Sequence, residues 1–201
     1  MNSHICYKLT DSRMQTYGAT QWVVGETKRT SGEGRLCGPG WLHWYDDPIV
    51  ALLMNPVHAW FVTPRLFVAE WGGRRKDDSG LKSGSTALTL TQEVLPVPTV
   101  TPMQRVAFGI LAALEVTKQA SWREWAERWL SGEDRTIAAA SAAERAADHA
   151  VRAAVEVAHA AAEHGAGYPF ACCAVQTAAY ATKVLDLPMI AAWAMAFGGD
   201  V

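Results

Sequence analysis

Between Pro96 and Pro102 the chain reads PVPTVTP, and on its two sides apolar residues recur with different periods. Before it, STALTLTQEVL (85–95) alternates with period 2; after it, Val106, Ile110 and Leu114 recur at helical spacing. The first period puts successive side chains on opposite faces of a strand, and the second puts every third or fourth on one helix face. Three prolines in seven residues interrupt either kind of hydrogen-bond ladder, because each lacks a backbone donor and restricts the residue before it. The pattern predicts an α+β protein. A small mixed or antiparallel β module with one short helix spans 1–98, and an alanine-rich helical bundle spans 99–201. Half of the 201 residues are hydrophobic, enough for a substantial core.

Within the first module, ICYKLT (Ile5–Thr10) and TQWVV (Thr20–Val24) read as strands. SGEGRLCGPG (Ser31–Gly40) reads as a loop or a run of turns, because glycine and proline dominate it. Asp46 or Asp47 caps a helix with Pro48 in its first turn, running over Ile49–Asn55 and stopping before Pro56. RLFVAEW (Arg65–Trp71) is a strand with Leu66, Val68 and Glu70 on one face, and Phe67, Ala69 and Trp71 on the other. WGGRRKDDSG reads as a turn-rich excursion, and Ser85–Leu95 as a further strand.

In the second half Thr101 caps a helix with Pro102 in its first turn. Ser121-x-x-Glu124 has the pattern of a capping box opening Trp122–Leu130. There Trp122, Trp125 and Trp129 form one apolar stripe, with Arg123/Glu127 and Glu124/Arg128 as pairs one turn apart. A long helix is expected from about Asp134 or Thr136 to His164, with Gly165 as its stop. Its charges (Arg145, Asp148, Arg152, Glu156, His159 and Glu163) form a single narrow stripe, as expected for a helix packed among neighbours. Helices over about Pro169–Asp186 and from Pro188 follow.

The net charge is −2, and 1–100 carry 10 basic and 9 acidic side chains against 8 and 11 in 101–201. That balance argues against a nucleic-acid binder acting by bulk charge neutralisation, though not against a local patch. Cys6, Cys37, Cys172 and Cys173 form no disulfide framework, and no apolar run is long enough to span a bilayer. MNSHICYKLTDSR lacks the apolar region of a signal peptide. These features predict a soluble, cytoplasmic protein with reduced thiols and no membrane segment.

Motifs for chemistry are sparse. Glu156-x-x-His159 has the spacing of a di-metal carboxylate site, but it lies on the charged stripe without a facing ligand set, so a solvated helix face is the reading and no metal is expected. SGEGRLCGPG lacks the Gly-Lys-Ser/Thr ending that places a lysine on phosphates. Cys37 and His43 are six apart across glycine and proline, which reads as a structural thiol and a hydrogen-bonded histidine. Nine tryptophans are many for this length. Trp41, Trp44, Tyr45, Trp60 and Trp71 are core aromatics or, where exposed, candidates for a partner-binding face.

The stretch LCGPGWLHWYDDPIVALLMNPVHAWFVTPRLFVAEWGG, with CYKLTD before it and TQWVVG between, resembles a family of uncharacterised bacteriophage and bacterial proteins. Those proteins share Tyr-Lys on the first strand, then Gln-Trp, a Cys-x-x-Gly-(aromatic or Leu)-His segment and Asp-Pro, and many end in variable alanine-rich helices. The resemblance covers roughly residues 5–130. It implies a phage-type origin, and the expected function is an accessory role in the host cytoplasm, binding a host or phage macromolecule, with a protein as the expected partner. A second resemblance is to the mono-ADP-ribosyltransferase fold: Tyr7, Lys8 and Thr10 on an early strand, and Gln92-Glu93-Val94-Leu95-Pro96 on a late one. It implies NAD as cofactor, with Glu93 stabilising an oxocarbenium-like transition state and Lys8 and His43 as further candidates. Lys8 stands where that family has Arg or His, and Thr91 where it has the first Glu of a Glu-x-Glu pair. Self-association through the alanine-rich helices is the third expectation.

Overall fold

The computed structural model describes residues 4–146, 175–176, 178–180 and 185–197. The chain is α+β, dividing into two compact units, Met1–Thr99 and Val100–Val201.

The first unit is built on three long antiparallel strands. β1 (Ile5–Thr10) pairs with β6 (Arg65–Asp77), which pairs with β7 (Ser83–Glu93). The outer edge of β7 is shared by two short strands: β4 (Thr27–Arg29) lies against Ala87–Thr89, and β5 (Leu42–Trp44) against Ser83–Ser85. A hairpin of β2 (Gln15–Thr16) and β3 (Thr20–Gln21) stands beside β1.

The sheet closes on itself. Tyr7 donates its N–H to the Tyr45 carbonyl at 2.8 Å and accepts the Tyr45 N–H at 2.8 Å. A residue's N–H and C=O point to the same side of its strand, so Tyr7 faces away from β6 and the bridge lies on the opposite edge of β1. The path β1–β6–β7–β5–Tyr45–β1 is therefore a hydrogen-bonded ring that covers the edge of β1 at Tyr7, with β4 left as an end strand of the sheet. Inside it sit Cys6, Trp22, Leu42, Trp44, Phe67, Ala69, Leu88 and Leu90. Leu9 and Leu66, on the other face, are buried as well. α1 (Pro48–His58) lies along β1 and buries Val50 through Asn55. Asp47 caps α1, its carboxylate accepting from Ile49 N and Val50 N at 2.8 Å each.

Three local expectations are corrected. WGGRRKDDSG is largely strand: β6 runs on to Asp77 across register shifts, and Gly73 takes φ +76° where a Cβ would collide with the Thr86 hydroxyl. The segment Thr20–Val24 is strand only at Thr20–Gln21, because the Trp22 side chain turns into the core. α1 passes through Pro56 and ends two residues later, at His58, so only its final turn carries the missing amide donor.

In the second unit α2 (Pro102–Val116) begins at a capping box between Thr101 and Gln104, and the Gln104 amide also donates to Met195 O at 3.0 Å. α3 (Ala120–Ser131) starts at Gln119, ahead of the expected Ser121 cap, and ends at Gly132 with φ +82°. Trp122, Trp125 and Trp129 are all buried. The one-turn ion pairs expected on α3 give way to other bonds: Arg123 donates to Leu114 O and Thr117 O at the end of α2, and Arg128 pairs with Glu133 and Asp134. Unpaired carbonyls at a helix end attract a guanidinium strongly. α4 (Ile137–Ala146) and α5 (Leu187–Met195) complete the described helices. The rest of the long helix, its charge stripe beyond Arg145 and most of Pro169–Asp186 lie outside the described residues. Among the described residues no helix is long and apolar enough to cross a membrane.

The Asp47 carboxylate satisfies two amides at the start of α1, so Asp47→Ala is expected to destabilise the protein by about 1 kcal/mol. Urea unfolding checks this, and a change in midpoint with unchanged slope is the expected form.

Candidate functional site

Lys8 shares a sheet face with Cys6, Phe67 and Ala69, and is only 7% exposed. Its ammonium donates to the His43 main-chain carbonyl at 2.6 Å and lies 5.1 Å from the centroid of the Trp22 ring. The position is set by topology. Beyond the Tyr7–Tyr45 bridge, the next ladder position would place Leu9 opposite His43, but β1 and β5 part there and the Lys8 amine takes up the His43 carbonyl. Burial pulls the Lys8 pKa down to about 8, from an ordinary 10.5. Burial likewise pushes the neighbouring Cys6 thiol up to about 12, and Cys6 donates to Ala69 O at 3.4 Å.

Two neutral imidazoles flank this point. The His43 ring is bonded through Nε2 to Leu36 O, and burial lowers its pKa to about 4. His58, at the end of α1, stacks on Tyr45 and shares a 3.1 Å hydrogen bond between Nδ1 and the Tyr45 hydroxyl. Its Nε2 is buried without a partner among the described residues, and burial lowers its pKa to about 3.

Glu93 lies elsewhere on the sheet. Phe67 on β6 faces Lys8 on one side and Glu93 on the other, which separates their backbones by two strand spacings, about 10 Å. The Glu93 carboxylate accepts two hydrogen bonds from Arg65, at 2.7 and 2.6 Å, and that bond holds it below the usual carboxylate range. The Arg65 guanidinium also covers the Phe67 ring. Of the residues expected for NAD chemistry, the structure joins Lys8 to the His43 backbone and sets Glu93 apart in its own ion pair.

Of the aromatic candidates, Trp41, Trp44 and Tyr45 are buried. Trp71 is half-buried, stacked between His4 (4.3 Å) and Trp44 (5.4 Å). Arg75 lies over both Trp44 and Trp71 and is tied to Asp46, Asp77 and Ser83. Burial raises the Asp46 carboxyl, and Arg75 draws it back down. Trp60 alone of the five stands in solvent, 59% exposed, with Val62 beside it 93% exposed.

The Ala59–Pro64 loop that carries these two side chains is firmly built. The Asn55 carbonyl accepts from Ala59 N at 3.0 Å and Trp60 N at 2.7 Å. The buried Asn55 side chain donates to Phe61 O at 2.9 Å and accepts from Phe61 N at 3.1 Å. Trp60 is held at φ +56°, a conformation that costs an L-residue about 1–2 kcal/mol. Sequence reasoning missed Asn55, His58 and Arg75. An Asn directly before a Pro at a helix end was the available signal for the first, and Arg75 was hidden in a segment read as turn.

In the second unit a shallow depression between α3 and α4 is floored by Ala139, Ala142 and Ala143, but the Arg128 beside it is occupied by Glu133 and Asp134. Among the described residues no group of three His, Cys, Asp or Glu is placed to hold a metal ion. No family model, curated protein or solved structure matches the chain.

The imidazoles set the acid stability. Their folded pKa values of about 4 and 3 lie below the ordinary 6.5, so the unfolded chain binds more protons as pH falls below 6.5. Stability is fully present above that pH and is lost as pH falls toward the folded values, at up to about 2.7 kcal/mol per pH unit for the pair. Urea midpoints from pH 7 to pH 4.5 are expected to fall steeply, and His58→Gln is expected to roughly halve the slope.

Proposed function

We propose that this chain is a binding protein of the phage-type family that its first module resembles, acting in the host cytoplasm by engaging a host or phage protein through the Ala59–Pro64 loop. The observation that carries the reading is Trp60, an exposed indole on a strained backbone fixed by Asn55. Strain of this kind persists where the surrounding structure over-determines it, and such positions cluster at binding sites. Tryptophan is the residue most often found at the energetic centre of interfaces, and a loop already ordered before binding loses little entropy on docking. No charged residue interrupts Ala59–Pro64, which suits a concave apolar pocket on the partner. The engagement of Glu93 by Arg65 supports binding over NAD-dependent transfer.

The test compares immobilised wild type with Trp60→Ser/Val62→Ser in retaining a host protein identified by mass spectrometry. Affinity for the retained protein is expected to fall about thirtyfold, the effect of losing an interface residue worth 2 kcal/mol. The double variant should unfold at the wild-type urea midpoint, since neither side chain is part of the core. Equal retention by both proteins would remove the loop from the function.

A further inference from the structure

The charge balance of the first unit hides a segregation that the fold creates. Six of its nine acidic side chains are committed: Asp11 to Arg13 and its own turn, Glu26 to Lys28, Asp46 and Asp77 to Arg75, Asp47 to the α1 cap, and Glu93 to Arg65. Arg29, Arg35, Arg74 and Lys76 are exposed, and none has a carboxylate partner among the described residues.

The sheet register gathers these four. Arg29 on β4 lies opposite Ala87 of β7, and Ala87 opposite Gly72 of β6. Arg75 points to the core face, over Trp44 and Trp71, so its neighbours Arg74 and Lys76 point to the other. The Ser31–Gly40 loop crosses that side: Arg74 donates to Ser31 O, and Lys76 donates to Gly34 O at 2.8 Å, next to Arg35. These bonds use one donor each of Arg74 and Lys76, leaving four guanidinium and two ammonium N–H groups for a ligand. Two residues before Arg29, on the same face of β4, the exposed Thr27 hydroxyl is hydrogen-bonded to that of Thr89 at 2.7 Å. Glu33 is the acidic side chain within the loop itself, and the exposed Glu70, opposite Thr89 on β6, borders the face.

We propose that this face binds the phosphodiester backbone of a polynucleotide, without reading its sequence. Guanidinium groups match phosphate oxygens in pairs, and hydroxyls of threonine supply the accompanying contacts to phosphate and sugar. Lys76 stands two residues from Arg74, about 7 Å along the strand, so the cations form a row suited to successive phosphates of one backbone. The indole beneath Lys76, Trp41 at 4.8 Å to its centroid, is buried, which fits a hydrated polyanion above the cations and not insertion into a lipid surface. The site is separate from Trp60 and does not rest on the protein-binding reading.

Fluorescence anisotropy with a labelled 20-mer, single-stranded in one arm and duplex in the other, tests the proposal on the full chain at low salt. Binding is expected, with log K falling against log salt at a slope of about −2 to −3.5 for three or four phosphate contacts. Arg29→Glu/Arg35→Glu reverses two charges whose side chains hold nothing in the fold, and is expected to weaken binding at least tenfold while circular dichroism stays unchanged. Trp60→Ser is expected to bind the oligonucleotide as wild type does. Absence of binding to both oligonucleotides would overturn the proposal. So would equal binding by Arg29→Glu/Arg35→Glu, or equal competition by polyglutamate or anionic vesicles at matched charge.

Discussion

The first unit depends on one small closure: Tyr45 exchanges two backbone hydrogen bonds with Tyr7, and one residue further the Lys8 ammonium takes the His43 carbonyl. Without this closure β5 would be three residues hanging on the edge of β7, and Trp44 would have no reason to lie in the core. With it, the sheet is a ring around Trp22, Trp44 and Phe67. The drop in the Lys8 pKa from 10.5 to about 8 corresponds to about 3 kcal/mol of penalty on the charged form. The bond to the His43 carbonyl and the Trp22 ring hold the amine in place, and the net balance still disfavours its charge. The amine stays largely charged at neutral pH.

The loops outside the ring are held by polar bonds that start from it. Arg74 and Lys76 reach across to main-chain carbonyls of the Ser31–Gly40 loop, the His43 ring holds Leu36 O, and the Tyr45 hydroxyl meets His58 at the end of α1. From there Asn55, on the same helix, fixes the loop that presents Trp60. Chain and chemistry are thus connected: the segment that closes the barrel also orients the helix whose last turn displays the exposed indole. The cationic face arises differently, because Arg75 turns inward onto aromatic rings and takes two carboxylates with it, leaving its neighbours unpaired on the outside.

Much of the architecture was legible in the residues. β1 falls on the ICYKLT expected from its alternation, the two faces of RLFVAEW divide as its period of 2 requires, and α1 and α2 begin at Asp47 and Thr101. Gly72–Asp77 was not legible as strand, because glycines and consecutive cations usually mark turns; a bulge at Gly73 and stacking of Arg75 on tryptophan make it one. The site was legible only in its parts. Lys8 and His43 stand out as residue types, yet their contact runs from a side-chain amine to a main-chain carbonyl, which no pattern of side chains encodes. The buried Trp44 and the exposed Trp60 look alike in sequence, since the burial of Trp44 is decided by a closure between Tyr7 and Tyr45, which stand 38 residues apart.

The most direct test of the closed ring is the titration of the Lys8 amine itself, followed by NMR of the labelled lysine Nζ in the folded protein. A lysine enclosed between the His43 carbonyl and the Trp22 ring titrates near pH 8, with its signal shifted by the indole and lost on Lys8→Met. A Lys8 titrating near its ordinary 10.5 would mean that β1 and β5 are not closed over it and that the ring does not form.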